Sequence, residues 1–418
     1  HFEKMLYDQA ALATVYLEGY QVTQNAVLES VARGILDYVL KDMTGSQGGF
    51  YSAEDADSEG EEGTYYVWSD VELKKILTPE EYQQAIKIFE VTPQGNFEVT
   101  GKNILHLRKD ISWKESFSSE VKNIRKKLLQ IREKRERPFK DDKVLTAWNG
   151  LMISAMAKAA QVLQAEKYLK AAQKSAQFVR ANLYENEKLA RRFRDNEAKF
   201  TASLDDYAYL IQGLIDLYEA DFDEQWLSWA NVLQKKQDEL FWHEETGGYY
   251  FSEKQGSLLP GRNKNFEDNA RPNSNAVSAL NLLKLYNFTL HKPYRDKAKN
   301  IFMLAGEMMS RSHNAFAQMF IALDFYLDKS KEVVVVGPKQ SKEKDAVIKM
   351  LRTEFLPNKT VGYISPDSRS SFPVFENKVT AEGRTIVYVC ENNVCKFPTE
   401  DLTKARQLVN DNKEYSLN

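Results

Sequence analysis

The segment with the densest reactive chemistry is GGFYSAEDADSEGEEGTYYVW, which runs from Gly48 to Trp68. Six carboxylates fall within nine residues of it, and tyrosines and a tryptophan flank them. Carboxylates can serve as general acid and base on a sugar, beside aromatic rings that stack on its C–H faces. We predict that Asp55 and Asp57 are catalytic and that Glu54 binds substrate at the mouth of a pocket. Residues 59–62 are expected to lie mostly in water.

The acidic run has two other interpretations. Asp55, Asp57, Glu59 and Gly60 match the opening of a calcium-binding loop, which needs a bidentate glutamate at its twelfth position. Tyr66 stands at that position. We therefore predict no calcium site here, and neither a metal nor a cofactor elsewhere in the chain. The remaining alternative is a solvated acidic turn without chemistry.

A second set of polar and aromatic residues lies where predicted helices begin. Ser203 can cap one helix, and the helix dipole favours acidic residues in the turn that follows. Two adjacent aspartates, Asp205 and Asp206, follow Ser203. Capping accounts for one of them, so the other is expected to line a cavity. The alternative for the set is capping and core packing alone. We predict Asp206 as catalytic, and the substrate-binding set at these helix starts is Trp148, Asn149, Asp205, Tyr209, Arg271 and Asn275.

The elements that must position these residues are helices, because helical periodicity dominates the chain to about residue 328. The helices occur as pairs with short breaks, which indicates antiparallel hairpins. The first helix of a pair is mostly apolar and the second is amphipathic, so inner and outer layers are expected. The prediction is a mainly α fold, an (α/α)6 toroid over residues 1–330, with a loop insertion around 43–112. An α-solenoid is the alternative. The predicted helices are 2–20, 24–42, 143–164, 166–182, 203–220, 222–240, 274–290, 293–310 and 313–328.

Such a ring needs six hairpins, so about three helices are expected before residue 1. The chain also starts with histidine instead of methionine, as a fragment or a processed chain does. His1 and His313 are the two of the five histidines that lie near predicted inner helices. His1 is predicted as catalytic, although paired carboxylates fit the composition better than two-histidine chemistry.

The pattern changes at the end of the helical region. Apolar strands alternate with helices there, which predicts a small α/β domain over residues 331–418. Cys390 and Cys395 flank an Asn-Asn pair typical of a type I′ hairpin turn. This turn places the cysteines opposite each other at a non-hydrogen-bonded position, within disulfide range. A redox pair is predicted, and two buried thiols are the alternative.

Composition excludes several classes of protein. The chain has 418 residues, with 57 basic and 60 acidic residues and a net charge of −3. That balance gives no electrostatic reason to expect nucleic acid or an anionic membrane as partner. No apolar run approaches the roughly 20 residues of a membrane span. Two cysteines and no signal segment predict a cytoplasmic protein.

Long blocks of the sequence resemble a known family. They are HFEKMLYDQA, the Gly48–Trp68 segment, DDKVLTAWNGLMISA, SLDDYAYLIQGLIDLYEA, EVVVVGP and YVCENNVCKFP. Together they are similar to the YyaL-like (spermatogenesis-associated) thioredoxin-domain-containing protein family. The resemblance implies a thioredoxin-like domain followed by a six-hairpin α/α barrel similar to N-acylglucosamine 2-epimerase and cellobiose 2-epimerase. Compared with that family pattern, the thioredoxin-like domain and the first barrel helices are expected to lie outside this sequence.

These observations lead to one functional prediction and one alternative. The prediction is a carbohydrate-active or sugar-binding α/α barrel with a carboxylate-rich site at the rim where inner helices start. Its partner is a small sugar-like ligand. The alternative is a thioredoxin-linked redox or quality-control module whose barrel only binds a ligand or partner.

Overall fold

The computed structural model describes residues 2–98, 100–112, 115, 118–253, 261–381 and 383–411. His1, predicted as catalytic, lies outside the described residues. The helices of the helical region are α1 (Leu6–Thr23), α2 (Ala26–Asp42), α3 (Asp70–Ile76), α4 (Pro79–Ile88), α5 (Ser119–Arg132), α6 (Thr146–Val162), α7 (Glu166–Asn182), α8 (Leu204–Asp221), α9 (Glu224–Phe241), α10 (Ser274–Thr289), α11 (Lys292–Arg311) and α12 (Ala317–Leu327).

The long helices form two layers, as predicted. An inner row runs α1, α6, α8, α10 and α12, in which each helix packs against the next. The partners α2, α7, α9 and α11 pack behind the inner helices α1, α6, α8 and α10. Residues of α6 and α8 are buried on nearly every side, whereas α7 and α9 bury one face. The helical region is therefore an α/α toroid of the six-hairpin class, as the sequence predicted.

Small residues set the spacing of the inner row. Gly150 of α6 lies so close to α8 that an added Cβ would approach the backbone carbon of Tyr209 to 2.4 Å. Gly213 of α8 has the matching position, because a Cβ added there would approach the carbonyl oxygen of Gly150 to 2.5 Å. No side chain fits between these backbones, so the two helices are in direct contact.

The insertion between the first two hairpins forms a subdomain with its own core. Helices α3, α4 and α5 pack around buried apolar side chains that include Trp68, Leu73 and Leu128. Ser69 and Thr78 cap α3 and α4 in capping boxes, in which Glu72 and Glu81 bond back to the cap residues. The acidic run forms a small hairpin in which Asp57–Ser58 pairs with Glu61–Glu62.

Short strands tie the loops to the starts of the inner helices. The strands of this region are β1 (Lys4–Met5), β2 (Ala53–Glu54), β3 (Asp57–Ser58), β4 (Glu61–Glu62), β5 (Trp68–Ser69), β6 (Lys102–Asn103), β7 (Lys140–Asp141), β8 (Val144–Leu145), β9 (Tyr184–Glu185), β10 (Lys188–Arg194) and β11 (Glu197–Thr201). Strand β2 lies between β1 and β7. The first helix therefore begins at Leu6 and not at residue 2, because Lys4 and Met5 pair with β2.

The last part of the chain is a four-stranded sheet with two helices. Its elements are β12 (Lys331–Val336), α13 (Lys342–Thr353), β13 (Lys359–Ile364), β14 (Ile386–Glu391), β15 (Val394–Cys395) and α14 (Leu402–Val409). The strand order is β13-β12-β14-β15, with β12 parallel to β13 and antiparallel to β14. The predicted division at residues 330 and 331 falls between α12 and β12.

This sheet covers the ends of the inner helices. Gln21, near the end of α1, donates to the carbonyl oxygens of Arg352 and Glu354. Glu219, near the end of α8, accepts a 3.0 Å hydrogen bond from the backbone N–H of Val361 in β13. The C-terminal ends of α1 and α8 are therefore covered by this part of the chain, and their N-terminal ends face the loops. None of the helices in the described ranges is both long and apolar enough to cross a membrane.

Candidate functional site

The starts of the inner helices meet at one end of the toroid, which we call the inner-helix rim. The rings of Tyr7 in α1 and Trp148 in α6 lie 4.9 Å apart. The N–H of Ala147 in α6 donates to Asp206 of α8 at 3.0 Å. Asp205 of α8 pairs with Arg271, which precedes α10, at 2.8 Å. Residues from four separate segments are thus neighbours, and three of these segments carry predicted site residues.

Asp206 is buried and caps two helices. One oxygen accepts from Ala147, and the other accepts from the N–H and the hydroxyl of Ser203 at 2.8 and 3.0 Å. Burial raises the pKa of this carboxyl to about 6, although the bonds from Ser203 oppose the shift. Both oxygens are occupied by the fold, so the structure gives the predicted catalytic Asp206 a capping role.

Asn149 and Asn275 hold two loops of matching sequence against the rim. We call them the Gly-Gly-aromatic loops, and they contain Gly48-Gly49-Phe50 and Gly247-Gly248-Tyr249. Asn149 accepts from the N–H of Phe50 at 2.8 Å and donates to its carbonyl oxygen at 3.0 Å. Asn275 makes the same pair of bonds with Tyr249, at 2.8 and 2.9 Å. Both amides are buried. The prediction that they bind substrate is not supported by this geometry, because the backbone of the loops occupies their polar atoms.

Tyr209 is also part of the scaffold. Its ring is buried, and its hydroxyl donates to the carbonyl oxygen of Pro272, just before α10. Burial raises its pKa, and the nearby carboxylate of Asp205 adds to the increase. The predicted contact of Tyr209 with substrate is replaced by a bond that joins two helix starts.

Asp205 and Arg271 form the polar pair of the rim that retains bonding capacity. One guanidinium nitrogen of Arg271 donates to one carboxylate oxygen of Asp205. The Arg271 side chain is 32% exposed and that of Asp205 is 10% exposed. A guanidinium has five N–H donors, so this pair can bind hydroxyl groups without breaking its own contact.

Trp148 and Tyr7 supply an aromatic surface beside this pair. Both rings are half-buried and meet edge to face. Partial burial raises the pKa of Tyr7; Asp8 raises it further, and Arg271 opposes the increase. Asp8 is exposed, yet nearby atoms exclude enough water to raise the pKa of its carboxyl. This ring contact and these effects on the pKa of Tyr7 indicate that four side chains lie close together at the rim, namely those of Tyr7, Asp8, Trp148 and Arg271.

Glu54 lies deeper than predicted. It is 3% exposed, and it accepts a 2.6 Å bond from the hydroxyl of Tyr66. Its backbone pairs with Lys4, whose ammonium lies 4.2 Å from the centre of the Tyr66 ring. Burial raises the pKa of Tyr66, and the bond to Glu54 reinforces the shift. Glu54 stabilises this buried cluster instead of opening onto the rim.

Asp55 and Asp57 are exposed in the acidic hairpin. Asp55 accepts from the backbone N–H groups of Ala56 and Asp57 at 2.7 and 3.3 Å, as in an Asx turn. The hairpin starts beside α1, because β2 pairs with β1. Both carboxylates nevertheless face solvent, which does not support the prediction that Asp55 and Asp57 are catalytic at the mouth of a pocket.

The two cysteines form a disulfide, as the predicted spacing allows. Cys390 pairs with Cys395 across β14 and β15, and their Cα atoms are 3.8 Å apart. Cys390 is buried and Cys395 is exposed. Asn392 and Asn393 both have positive φ, which is the geometry of the predicted turn.

Two rim residues, Tyr7 and Asp8, were not predicted as site residues. Their signal was their position in the first turn of an apolar helix, which is the same signal that singled out Trp148. Within the described ranges, no cluster of three or more His, Cys, Asp or Glu side chains could hold a metal ion.

The sequence is similar to several curated proteins. The chain is 35% identical to spermatogenesis-associated protein 20 of Homo sapiens and 34% identical to that of Mus musculus, over 98% of this chain and 58% of each relative. It therefore spans a little over half of the length of these curated relatives. An uncharacterised protein of Caenorhabditis elegans is 31% identical over 98% of this chain and 61% of its own length. No family model matches the chain.

Solved structures with similar helical architecture are more distant. A cellobiose 2-epimerase from Bacillus thermoamylovorans is 10% identical, with a TM-score of 0.39 over 78% of this chain and 61% of that chain. A GH76 α-mannanase from Bacteroides thetaiotaomicron is 12% identical, with a TM-score of 0.44 over 78% and 69%. The fold assignment rests on the helix pairing above. The sequence identity across 98% of this chain shows that it belongs to the family of spermatogenesis-associated protein 20.

Proposed function

We propose that the inner-helix rim binds a sugar or a similar polyol. The observation that carries the proposal is the arrangement of the half-buried Trp148–Tyr7 pair beside the Asp205–Arg271 pair. Apolar ring faces next to charged hydrogen-bonding groups suit a molecule that has both C–H faces and hydroxyls. The neighbouring polar side chains of Asp206, Asn149 and Asn275 are occupied by the scaffold, so they hold the site in place.

Two carboxylates of the rim, Asp8 and Asp205, fit acid and base chemistry on the bound polyol. A carboxyl with a raised pKa keeps its proton to higher pH, so Asp8 is the proposed proton donor. Asp205 is the proposed acceptor, oriented by its bond to Arg271. This assignment differs from the sequence prediction, which used Asp55, Asp57, Asp206 and His1.

Calorimetric titration of the protein with a panel of mono- and disaccharides tests the proposal. Glucose, mannose, N-acetylglucosamine, cellobiose and mannobiose differ in stereochemistry and length, so the panel also ranks specificity. We expect saturable binding of at least one of them. Failure of every sugar in the panel to bind would overturn the proposal.

Variants locate the site. Arg271→Gln and Trp148→Leu should each weaken binding about tenfold, because each removes a charged hydrogen-bond donor or a stacking surface. Asp57→Asn is the matched control in the exposed acidic hairpin and should bind as the unmodified protein does. Loss of binding in Asp57→Asn, with Arg271→Gln unaffected, would place the site at the acidic hairpin instead.

The disulfide favours a second candidate function, a redox module. Cys395, one of the two residues of the disulfide, is exposed and therefore accessible to a thiol reagent. A dithiol would reduce the bond to two cysteine thiols and would itself become a disulfide. Titration with a dithiothreitol redox buffer, read by thiol alkylation, measures whether the pair exchanges. A pair that stays oxidised in every buffer while the protein is folded would exclude this candidate.

A further inference from the structure

A cavity lies away from the inner-helix rim, in the inserted subdomain. Its volume is about 600 Å³, which is within the range of small-molecule sites. We call it the insertion pocket. Its aromatic lining residues are Phe2, Tyr66, Trp68 and Phe89, and its aliphatic lining residues are Ile104, Leu105, Leu128 and Leu129. The apolar lining predicts that an apolar group would be held here.

The charged lining of the insertion pocket has one sign. Lys122, Arg125, Lys126 and Arg132 line it, and no Asp or Glu does so among the described residues. All four belong to α5, at spacings that put them on one helical face. The adjoining face of α5 bears Val121 and Ile124, which enter the subdomain core. The side of α5 that lines the cavity therefore carries a basic stripe, which consists of Lys122, Arg125, Lys126 and Arg132.

Arg132 is held in place without a carboxylate partner in the described part of the chain. Its guanidinium carbon lies 5.4 Å from the centres of both the Tyr65 and the Tyr66 rings. Its Nε atom is buried and makes no hydrogen bond. The nearby Glu54 carboxylate is bonded to the Tyr66 hydroxyl. A buried donor without an acceptor is costly unless a ligand supplies the acceptor.

We propose that the insertion pocket binds a small aromatic anion. The aryl group would lie among the four aromatic rings, and its carboxylate or phosphate would accept hydrogen bonds from Arg132 and the lysines. The proposal is separate from the sugar proposal, because the two sites share no residue. The two proposals can therefore be tested independently.

Fluorescence or calorimetric titration with 2-naphthoate tests this, with neutral 2-naphthamide as the paired probe. We expect 2-naphthoate to bind at least tenfold more tightly than the amide, because one charge-assisted hydrogen bond is worth about that factor. A parallel titration with 2-naphthyl phosphate decides whether the site prefers a carboxylate or a phosphate. Equal binding of 2-naphthoate and 2-naphthamide would overturn the proposal.

Variants of α5 assign the binding to this pocket. Arg132→Gln should weaken 2-naphthoate binding about tenfold, and Arg132→Lys, which retains the charge, should weaken it less. Lys127→Gln is the matched control, because Lys127 is on the same helix but pairs with Glu81 outside the cavity. Equal losses in Arg132→Gln and Lys127→Gln would show a nonspecific charge effect and would overturn the proposal.

A second test covers the case in which Arg132→Gln does not fold. Lys122→Gln with Lys126→Gln removes two exposed charges from the stripe and leaves the ring contacts of Arg132 intact. This double variant should lower the affinity for 2-naphthoate severalfold and leave that for 2-naphthamide unchanged. Unchanged affinity for 2-naphthoate in this variant would contradict the proposed role of the stripe.

Discussion

The two ends of the toroid use charged residues differently. At the inner-helix rim, Asp205 and Arg271 pair where the Arg271 side chain is still 32% exposed. At the opposite end, which we call the covered rim, the C-terminal sheet lies over the helix ends. Lys284 there pairs with Asp216 at 2.9 Å, with both side chains less than 20% exposed.

The covered rim contains a network in which charges balance one another. Burial raises the pKa of Glu219 and lowers that of Lys359 to about 8. Asp216 and Glu219 raise the pKa of Lys284, although burial opposes them. Asp216 also accepts from the hydroxyl of Ser154. These groups are already paired within the protein, which is why we propose the ligand site at the other rim.

The largest effect that tests this comparison is expected at the covered rim. Lys284→Met should lower the free energy of unfolding by about 4 kcal/mol, because it leaves the Asp216 carboxylate buried without its cation. Arg271→Gln at the inner-helix rim should lower it by less than about 1 kcal/mol, because that pair is partly solvated. Urea unfolding followed by circular dichroism measures both. Similar losses in the two variants would remove the distinction between the rims.

The second effect concerns the asparagines that hold the loops. Asn275→Ala should lower the free energy of unfolding by about 3 kcal/mol, because the buried N–H and carbonyl of Tyr249 lose their partners. Asn269→Ala, at an exposed position near the same helix start, is the control and should change it by less than about 0.5 kcal/mol. A stable Asn275→Ala variant that loses sugar binding would instead indicate direct contact with ligand.

The third effect is a pH dependence from Asp206. Its pKa is raised to about 6 in the folded protein, so its contribution to stability is present below pH 3.8 and is lost as pH rises through 6. The stability of the unmodified protein relative to Asp206→Asn should fall by about 2 kcal/mol between pH 4 and 7.5. Unfolding of both proteins across this range tests it. A constant difference would mean that Asp206 titrates normally.

The smallest effect is expected in the acidic hairpin. Asp55→Ala removes the Asx-turn bonds but lies in solvent, so it should change the free energy of unfolding by less than about 1 kcal/mol. Sugar binding should be unchanged, as measured by the same titration used for the rim. A large loss of sugar affinity in Asp55→Ala would show that the acidic hairpin belongs to the functional site.

The sequence by itself determined the helices, their pairing and the turn between the cysteines. These features depend on interactions within a few residues, such as the apolar period of α6 and α8, the capping boxes at Ser69 and Thr78, and the Asn-Asn turn. The sequence also indicated that polar residues recur at the starts of inner helices, because each start carries the same local pattern.

Only the tertiary structure decided which of those residues are free to bind a ligand. Asp205 and Asp206 are adjacent and chemically identical, but the N–H of Ala147 on the neighbouring helix faces Asp206, and Arg271 faces Asp205. The sequence pattern predicted Asn149 and Asn275 as ligand contacts, but in the structure their side chains bond to the backbone of the Gly-Gly-aromatic loops. The physical reason is that the bonding capacity of a side chain is used up by neighbours distant in sequence, and local patterns contain no information about those neighbours.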